Sequence, residues 1–370
     1  MKLTCPSAAI IAALRTAGRA TSPRATMPIL GMLLLDASGN TLRVAGTDLE
    51  IGLEASCAAT VTEPGRAALP AKLLMEIATT LPDAPVTLET HPETSSGMLA
   101  CDTVKFELQG MSAEDFPDLP GPDGDTTLQL QADALRTLIQ SVAYAPSTDE
   151  TRPFLTGALL TTQDSVTRMV ATDGARLAIA STPLAGAPAT PWSMIVPKHG
   201  LTELMRILPT TGEVVLAHVG TTLFANTGTV QFRTRLIAGE FPTYQQVVDR
   251  AMSGTIELIA DRAALIRAVR RVAITSEHSA KAVKFAADNG ALVLTANAPA
   301  VGSASERLAV QVPENLPVIA FKAGFLLEAL EAMNATEVRL TLQDTITPAL
   351  LRPVGRPEPM AVIAPVRLLG

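Results

Sequence analysis

Cysteines and aromatic residues are scarce in this sequence. Its 370 residues include only 3 cysteines, and aromatic residues make up 3%. Cys5, Cys57 and Cys101 are odd in number and far apart, and the chain has no C-x-x-C motif and no Cys/His cluster. This pattern excludes a disulfide framework and a zinc site. We therefore expect reduced thiols and no bound metal.

Long apolar runs are also missing. No stretch approaches the roughly 20 apolar residues that a membrane helix needs, and the longest runs, such as residues 29–35, have the length of a strand. The first residues carry a charge but no apolar segment of the kind that signal peptides contain. These absences predict a cytoplasmic protein with no membrane partner.

The sequence has none of the common catalytic signatures. No lysine follows a glycine, which excludes a P-loop, and no two glycines stand two apart, which excludes a dinucleotide fingerprint. Neither H-E-x-x-H nor G-x-S-x-G occurs. The pair Thr47-Asp48 is repeated as Thr172-Asp173, and repetition at distant positions indicates architecture rather than one active site. We expect no catalytic residue, no cofactor and no enzymatic activity.

A threefold internal repeat organises the chain. Residues 41–55 align with 166–180 and 291–304, and residues 69–82 align with 196–209 and 320–333. Asp48, Asp173 and Asn297 fall at matching points of the first block. A period this long exceeds a solenoid unit and indicates three copies of a whole domain. The predicted domains are 1–124, 125–251 and 252–370, with linkers at Pro117–Asp125 and Asp249–Gly254.

Each copy shows the same order of predicted elements. Apolar residues at helical spacing predict a first helix around residues 8–17, 135–142 and 265–272, and a second helix in the 69–82 block and its counterparts. Period-2 alternation, as in Leu42/Val44 and in Leu49, Ile51 and Leu53, predicts strands. Each domain is therefore predicted to be α+β, with two helices packed on an antiparallel sheet.

Basic residues concentrate on the predicted helices although the net charge is −7. No acidic residue precedes Asp36, whereas Arg15, Arg19 and Arg24 lie in that stretch. Helices that gather positive charge would meet the phosphates of DNA without reading its bases. The alternative is that these residues simply cover solvated helix faces, and the charge pattern leaves both interpretations open.

Seven motifs, in order, extend over essentially the whole chain: residues 24–35, 45–53, 114–120, 147–160, 170–178, 237–248 and 364–368. With them the sequence resembles the bacterial DNA polymerase III beta subunit family, the DNA sliding clamps. The resemblance implies three DNA-clamp domains per chain and a head-to-tail homodimer that forms a six-domain ring around duplex DNA, independently of DNA sequence. It implies a processivity factor whose partners are the DNA polymerase III alpha subunit, a clamp loader and other clamp-binding-motif proteins.

The resemblance also implies three sets of site residues. A pocket for partner peptides between the second and third domains would be formed by Arg152, Leu155, Thr172, Gly174, Leu177, Pro242, Val247, Ile346, Ala364, Pro365, Val366, Arg367 and Leu368. DNA would be contacted by Arg24, Lys198, Arg152 and Phe154, with Arg15, Arg19, Lys72 and Arg136 as further candidates from their helix positions. The ring contact would pair Phe106 and Leu108 with Ile274 and Thr275, with Lys72 and Ile77 nearby.

Two rim positions of this expected pocket depart from the family pattern. Ala175 and Gln246 stand where members of the family often carry His and Arg. A second hypothesis is therefore a clamp paralogue with an altered pocket, for example an inhibitor-insensitive second copy.

Overall fold

A computed structural model describes residues 1–22, 26–122, 127–184, 190–276, 281–298 and 302–367. The chain divides into two compact units. Unit 1 comprises Met1–Asp133, Pro188–Thr190 and His199–Leu236, and unit 2 comprises Ala134–Ala187, Pro191–Lys198 and Ile237–Gly370. No helix within the described ranges is long and apolar enough to cross a membrane.

The strands, in chain order, are β1 (Lys2–Pro6), β2 (Met32–Ser38), β3 (Thr41–Thr47), β4 (Ile51–Ala58), β5 (Thr60–Glu63), β6 (Gly65–Pro70), β7 (Pro85–His91), β8 (Ser96–Cys101), β9 (Val104–Gln109), β10 (Thr127–Gln131), β11 (Gly157–Gln163), β12 (Val166–Thr172), β13 (Arg176–Pro183), β14 (Ser193–Pro197), β15 (Glu213–Val219), β16 (Thr222–Asn226), β17 (Val230–Arg235), β18 (Ile256–Asp261), β19 (Ala282–Asp288), β20 (Ala291–Ala298), β21 (Gly302–Leu308), β22 (Ile319–Lys322), β23 (Glu337–Leu342), β24 (Ala349–Pro353) and β25 (Met360–Ile363). The helices are α1 (Ser7–Ala17), α2 (Ala71–Ala78), α3 (Ala132–Val142), α4 (Lys198–Ile207), α5 (Gln245–Met252), α6 (Arg262–Val272) and α7 (Ala323–Ala332).

Unit 1 contains two antiparallel sheets. One has the strand order β5-β1-β7-β8-β9, and the other has the order β10-β15-β16-β17-β4-β3-β2-β6. The larger sheet joins strands of the first and second sequence repeats, because β17 pairs with β4. Phe232 lies opposite Leu53 in this pairing, and both side chains are buried.

Unit 2 repeats this arrangement. Its larger sheet has the order β14-β11-β12-β13-β25-β24-β23-β18, and its smaller sheet has the order β21-β20-β19-β22. Here β13 of the second repeat pairs with β25 of the third, with Leu177 opposite Val362. Because strands of the middle repeat complete a sheet in each unit, three sequence repeats give two compact units.

The helical stripes read from the sequence are buried against these sheets. Ile10 and Leu14 of α1 lie in the core of unit 1, where α1 also contacts α2. In unit 2, α6 contacts α7, and Leu265 and Val269 are buried in the core between helices and sheet. The prediction of α+β domains with helices packed on antiparallel sheets is confirmed.

The repeated Thr-Asp pair forms a turn between two strands. Asp48 Oδ1 accepts hydrogen bonds from the backbone N–H groups of Glu50 and Ile51 at 2.9 and 2.7 Å. Thr47 Oγ1 donates to the carbonyl of Ile51 at 2.7 Å and accepts from the N–H of Leu49 at 3.0 Å. These side chains bind the turn's own backbone, which confirms the architectural interpretation for this copy.

Three sequence expectations need correction. Leu49 was placed in the alternation of a strand, but it lies in this turn with φ +78° and a side chain that is 52% exposed. The linker predicted at Asp249–Gly254 is wrong over its first four residues, because α5 extends to Met252. The middle repeat therefore has a helix beyond the expected two. Only Val248 and Ala251 of this short helix are buried, so its periodicity is too brief to detect.

Candidate functional site

A cavity of about 190 Å³ opens in unit 2 beside the turn that precedes β13. Four segments form its wall. They are the 3-10 turn at 153–155, the turn at 172–177, the segment leading into α5 together with its first turn, and residues at the start of β24 and at the end of β25. The lining residues are Leu155, Thr172, Gly174, Ala175, Arg176, Leu177, Pro242, Thr243, Tyr244, Val247, Pro348, Val362 and Ala364.

Many of the predicted pocket residues converge on this cavity. They are Leu155, Thr172, Gly174, Leu177, Pro242, Val247 and Ala364. The predicted residues that do not line it are Arg152, Ile346, Pro365, Val366 and Arg367. Leu368 lies outside the described residues. The sequence analysis did not predict four lining residues. Thr243 and Tyr244 lie just before α5, Pro348 lies just before β24, and Val362 lies on β25, which pairs with β13.

The floor of the cavity is apolar and continuous with a buried cluster. Leu177 on β13 is 5% exposed and packs with Val362 on the paired strand β25. Val248 of α5 belongs to the same cluster, whereas its neighbour Val247 faces the cavity and is 42% exposed. A concave apolar surface of this kind suits an aliphatic or aromatic side chain.

The second copy of the Thr-Asp turn forms one edge of the cavity. Asp173 Oδ1 accepts from the N–H groups of Ala175 and Arg176 at 2.9 and 3.0 Å. Thr172 Oγ1 donates to the carbonyl of Arg176 at 2.6 Å and accepts from the N–H of Gly174 at 3.0 Å. Gly174 has φ +94°, a left-handed conformation that favours glycine, and it places no side chain over the opening.

Arg176 holds this wall in place and was not predicted. Its guanidinium is 9% exposed and makes ion pairs with Asp173, at 3.1 Å, and with Glu328 of α7. It also donates to the carbonyl oxygen of Tyr144 at 2.6 Å. The guanidinium carbon lies 4.4 Å from the ring centre of Phe325, a cation–π geometry. One side chain thus fixes β13 to α7 and to the corner after α3.

The groups around Arg176 are largely buried. Burial raises the pKa of the Tyr144 hydroxyl well above its ordinary value, although the charge of Arg176 opposes this shift. The charge of Glu328 adds to the rise in this pKa. The sequence shows Arg176 next to the repeated turn, but it could not show partners that lie 152 residues away, such as Glu328.

Arg152 and Ile346 lie outside the cavity lining. The side chain of Arg152 is 46% exposed and is paired with Asp149 at 3.0 Å. Hydrogen bonds from Thr151, and then from Arg152, hold the pKa of Asp149 below its ordinary value. Arg152 nevertheless lies close to the edge of the cavity, since a Cβ at Gly174 would stand 3.5 Å from a terminal nitrogen of Arg152. Ile346 is 65% exposed.

The predicted DNA residues of unit 1 are mostly exposed. Arg15 on α1 and Arg19 just after it are exposed, and neither has an ion-pair partner in the part of the chain that the structure covers. Lys72 at the start of α2 has an 80% exposed side chain, 3.9 Å from Glu76. Arg24 lies outside the described residues.

The remaining predicted DNA residues are more enclosed. Arg136 on α3 and Lys198 at the start of α4 are half-buried, and each interacts with another group of the protein. Phe154, in the 3-10 turn beside the cavity, is also half-buried.

The predicted ring-contact residues fall into two groups. Ile274, just after α6, is 75% exposed, and Thr275 beside it is half-buried. Phe106 is half-buried on β9, an edge strand of its sheet. Leu108 and Ile77 are 3% and 4% exposed and belong to the core of unit 1, so their side chains are already covered within one chain.

No metal or acid–base constellation accompanies these surfaces. In the ranges that the structure describes, no group of three or more His, Cys, Asp or Glu side chains is placed to hold a metal ion. Among the described lining residues, the ionisable side chains are Arg176 and Tyr244, and the guanidinium of Arg176 is already paired with Asp173. The shape and the apolar floor of the cavity therefore suit an apolar group.

Comparison with protein families gives three matches in chain order. The profile of the DNA polymerase III beta subunit N-terminal domain matches residues 1–120, that of its central domain matches residues 129–243, and that of its C-terminal domain matches residues 252–367.

Curated relatives and solved structures agree with these matches. The chain is 33% identical to the beta sliding clamp of Synechococcus elongatus over 378 residues, covering 100% of both chains. It is 30% identical to that of Escherichia coli, again over 100% of both. Among solved structures, the Pseudomonas aeruginosa DnaN sliding clamp bound to griselimycin has a TM-score of 0.94 at 30% identity, covering 100% of both chains. The Bacillus subtilis DNA polymerase sliding clamp has a TM-score of 0.95 at 26% identity, also covering 100% of both.

Substituting Arg176 by Met should destabilise unit 2 by about 2–3 kcal/mol. Removal of the largely buried guanidinium leaves the carboxylates of Asp173 and Glu328 without their partner. Urea denaturation followed by circular dichroism would measure the change. Arg168→Met is the matched control: Arg168 is 44% exposed and 3.8 Å from Glu358, so its loss should cost well under about 1 kcal/mol. Equal unfolding midpoints for the two variants would contradict the role given to Arg176.

Proposed function

This chain belongs to the DNA polymerase III beta subunit family and is a sliding clamp, and we propose that two copies of it close into a ring around duplex DNA. The ring is a non-catalytic processivity factor of the cytoplasm. It holds a polymerase near the primer end by topology, so that a polymerase that releases the DNA stays at a high effective concentration. The match of all three domain profiles in order carries this proposal.

The cavity beside β13 is the proposed docking site for partner proteins. Its apolar floor at Leu177 and Val362 suits the apolar anchor of a short linear peptide, and a few such anchors dominate binding at small interfaces. Val247, which lines the cavity, and Arg152, which lies outside the lining near Gly174, would contact the flanking residues of the peptide. The expected partners are the DNA polymerase III alpha subunit, the clamp loader and other proteins that carry a clamp-binding motif.

Contacts to DNA phosphates are proposed for basic residues on helices. Arg15 and Arg19 support this role because both are exposed and lack an ion-pair partner in the described ranges, so their charges are available to phosphates. Two basic residues of α6 are less available. Arg270 is paired with Glu331 at 2.6 Å, and Arg271 is paired with Glu306.

The ring contact is proposed to join β9 of one chain to β21 of its partner. Each is an edge strand of its sheet, so each presents backbone groups without a partner on one side within the described residues. Ile274 lies next to β21 in the fold and is 75% exposed, a large apolar side chain that a partner would cover. Phe106 on β9 offers a half-buried apolar surface for this contact.

Topological retention on DNA tests the function as a whole. Protein loaded on nicked circular DNA should stay with the circle during gel filtration at high salt, and it should be lost once the DNA is linearised. Salt weakens phosphate contacts steeply, so a binder that relies on charge alone would leave both forms. Loss from the intact circle, with an active loader and a dimeric protein, would refute the ring.

Leu177→Lys should abolish binding of a polymerase-derived peptide, because it places a charge in an apolar pocket at a cost of several kcal/mol, to an order of magnitude. Since Leu177 also supports the core, Val247→Lys is the second variant: Val247 is half-exposed, and we expect at least about a tenfold loss of affinity. Met252→Lys adds the same charge on the same helix, at a 51% exposed position outside the cavity lining, and should bind normally. Calorimetry measures all three, and unchanged affinity in the two pocket variants would refute the pocket assignment.

Ile274→Asp should give monomers, because an unpaired charge would be buried at the ring contact. The exposure of Ile274 in a single chain means that the fold should persist. Met252→Asp is the control, since Met252 is 51% exposed on α5 and lies outside the proposed contact. Light scattering that reports a dimer for Ile274→Asp would contradict the interface.

A further inference from the structure

A second and larger groove lies in unit 2, away from the cavity beside β13. It has a volume of about 1120 Å³ and follows strand β18. One wall is formed by β18 and the start of α6, and the other wall is formed by the segment Leu308–Pro313. This volume is above the range of about 300–1,000 Å³ that is usual for small-molecule sites. A groove that follows one strand is suited to an extended chain.

The strand that lines the groove has a free edge. β18 is the last strand of its sheet, and its only neighbour within the described residues is β23. The N–H of Arg262 donates to the carbonyl of Thr336 at 2.9 Å, which sets the register of the ladder. Alternate residues of an antiparallel strand turn their backbone groups to opposite sides. The N–H and C=O groups of Glu257 and Ile259 therefore point away from β23, into the groove.

The first repeat shows what fills this position. There, β1 leads into α1 as β18 leads into α6, and the free edge of β1 is occupied by β5, with Leu3 opposite Val61. With Asp48 aligned on Asn297, the residues of β5 correspond to 309–312. In the third repeat that segment forms no strand, although Val310 packs against the core as Val61 does. The groove is thus a strand position that the chain itself leaves empty.

The charges around the groove define the segment that would fit. Glu257, Asp261 and Glu337 all line it, and none of its described lining residues is basic. Glu257 is partly neutralised by Arg339 at 3.2 Å. No ion pair involves Asp261 or Glu337 among the described residues. Ile259, which is 38% exposed, adds an apolar contact between these carboxylates.

We propose that β18 is a second partner-binding site, which takes an extended segment of another protein with alternating basic and apolar residues as an added β-strand. Backbone hydrogen bonds to Glu257 and Ile259 would supply affinity, and the carboxylates would select basic side chains. The site is separate from the cavity beside β13. A partner could therefore hold both, which raises the avidity of the pair over either contact alone.

Synthetic peptides test this proposal on the full-length protein. The probe is a capped peptide of about eight residues that alternates Lys and Val, and the control peptide alternates Glu and Val. Fluorescence anisotropy should show saturable binding of the Lys–Val peptide, at least about tenfold tighter than that of the Glu–Val peptide and weakened by salt. Hydrogen exchange at the outward N–H groups of Glu257 and Ile259 should be fast in the free protein and slowed by the Lys–Val peptide.

Variants separate this site from the rest of the molecule. Ile259→Pro removes one outward N–H and leaves the bonds to β23, as proline is tolerated on edge strands, and it should weaken the Lys–Val peptide about tenfold. Glu337→Lys should weaken it several-fold and does not alter the backbone. Glu93→Lys makes the same charge change in unit 1, on an exposed residue, and should leave binding unchanged. All three should still be retained on circular DNA.

Several results would overturn the proposal. Equal binding of the Lys–Val peptide by Ile259→Pro, Glu337→Lys and Glu93→Lys would show that the peptide binds elsewhere. Slow exchange at the N–H groups of Glu257 and Ile259 in the free protein would show that the segment 309–312 fills the position itself. Loss of retention on DNA in every variant would contradict the proposed clamp function and not the β18 site, because peptide binding to β18 is measured independently.

Discussion

The pairing of strand edges governs how this molecule is built. A β-strand with an open edge presents N–H and C=O groups that must find partners in protein or water. In each unit the middle repeat meets this requirement by lending strands to a neighbour's sheet, through β17 with β4 and through β13 with β25. The same requirement applies to the edge strands of these sheets, among them β9, β21 and β18.

The cavity beside β13 depends on this pairing. Its floor consists of Leu177 and Val362, which face each other only because β13 and β25 are adjacent. The turn above the floor is closed by the Thr-Asp hydrogen bonds, and Arg176 fixes it to α7. The proposed docking of an apolar anchor would need walls that keep their shape, and the ion pairs of the buried guanidinium would supply that rigidity.

Internal repetition makes differences between the copies informative. The turn at Asp48 and the turn at Asp173 have the same hydrogen bonds, yet Leu49 stands where the second copy has Gly174. An exposed leucine occupies the position that glycine leaves open at the cavity. Likewise, β5 covers the edge of β1, whereas the corresponding segment stands off from β18. In both cases one copy closes a position that another copy leaves open.

The sequence by itself determined the three repeats, the helices with long apolar stripes, the antiparallel character of the sheets and the family. It also named much of the cavity, because Thr172, Gly174 and Leu177 belong to one local motif. It missed α5, in which only two residues are buried. It also placed Leu49 in a strand because apolar residues alternate there, whereas in the structure the side-chain hydrogen bonds of Thr47 and Asp48 outweigh that alternation and form a turn. Only the tertiary structure joined Arg176 to Glu328 and Val362 to Leu177, and only it showed that Leu108 and Ile77 are covered within one chain. Local patterns fix local hydrogen bonding and burial, whereas contacts between distant segments arise from strand pairing, which leaves no periodic signal in either segment alone.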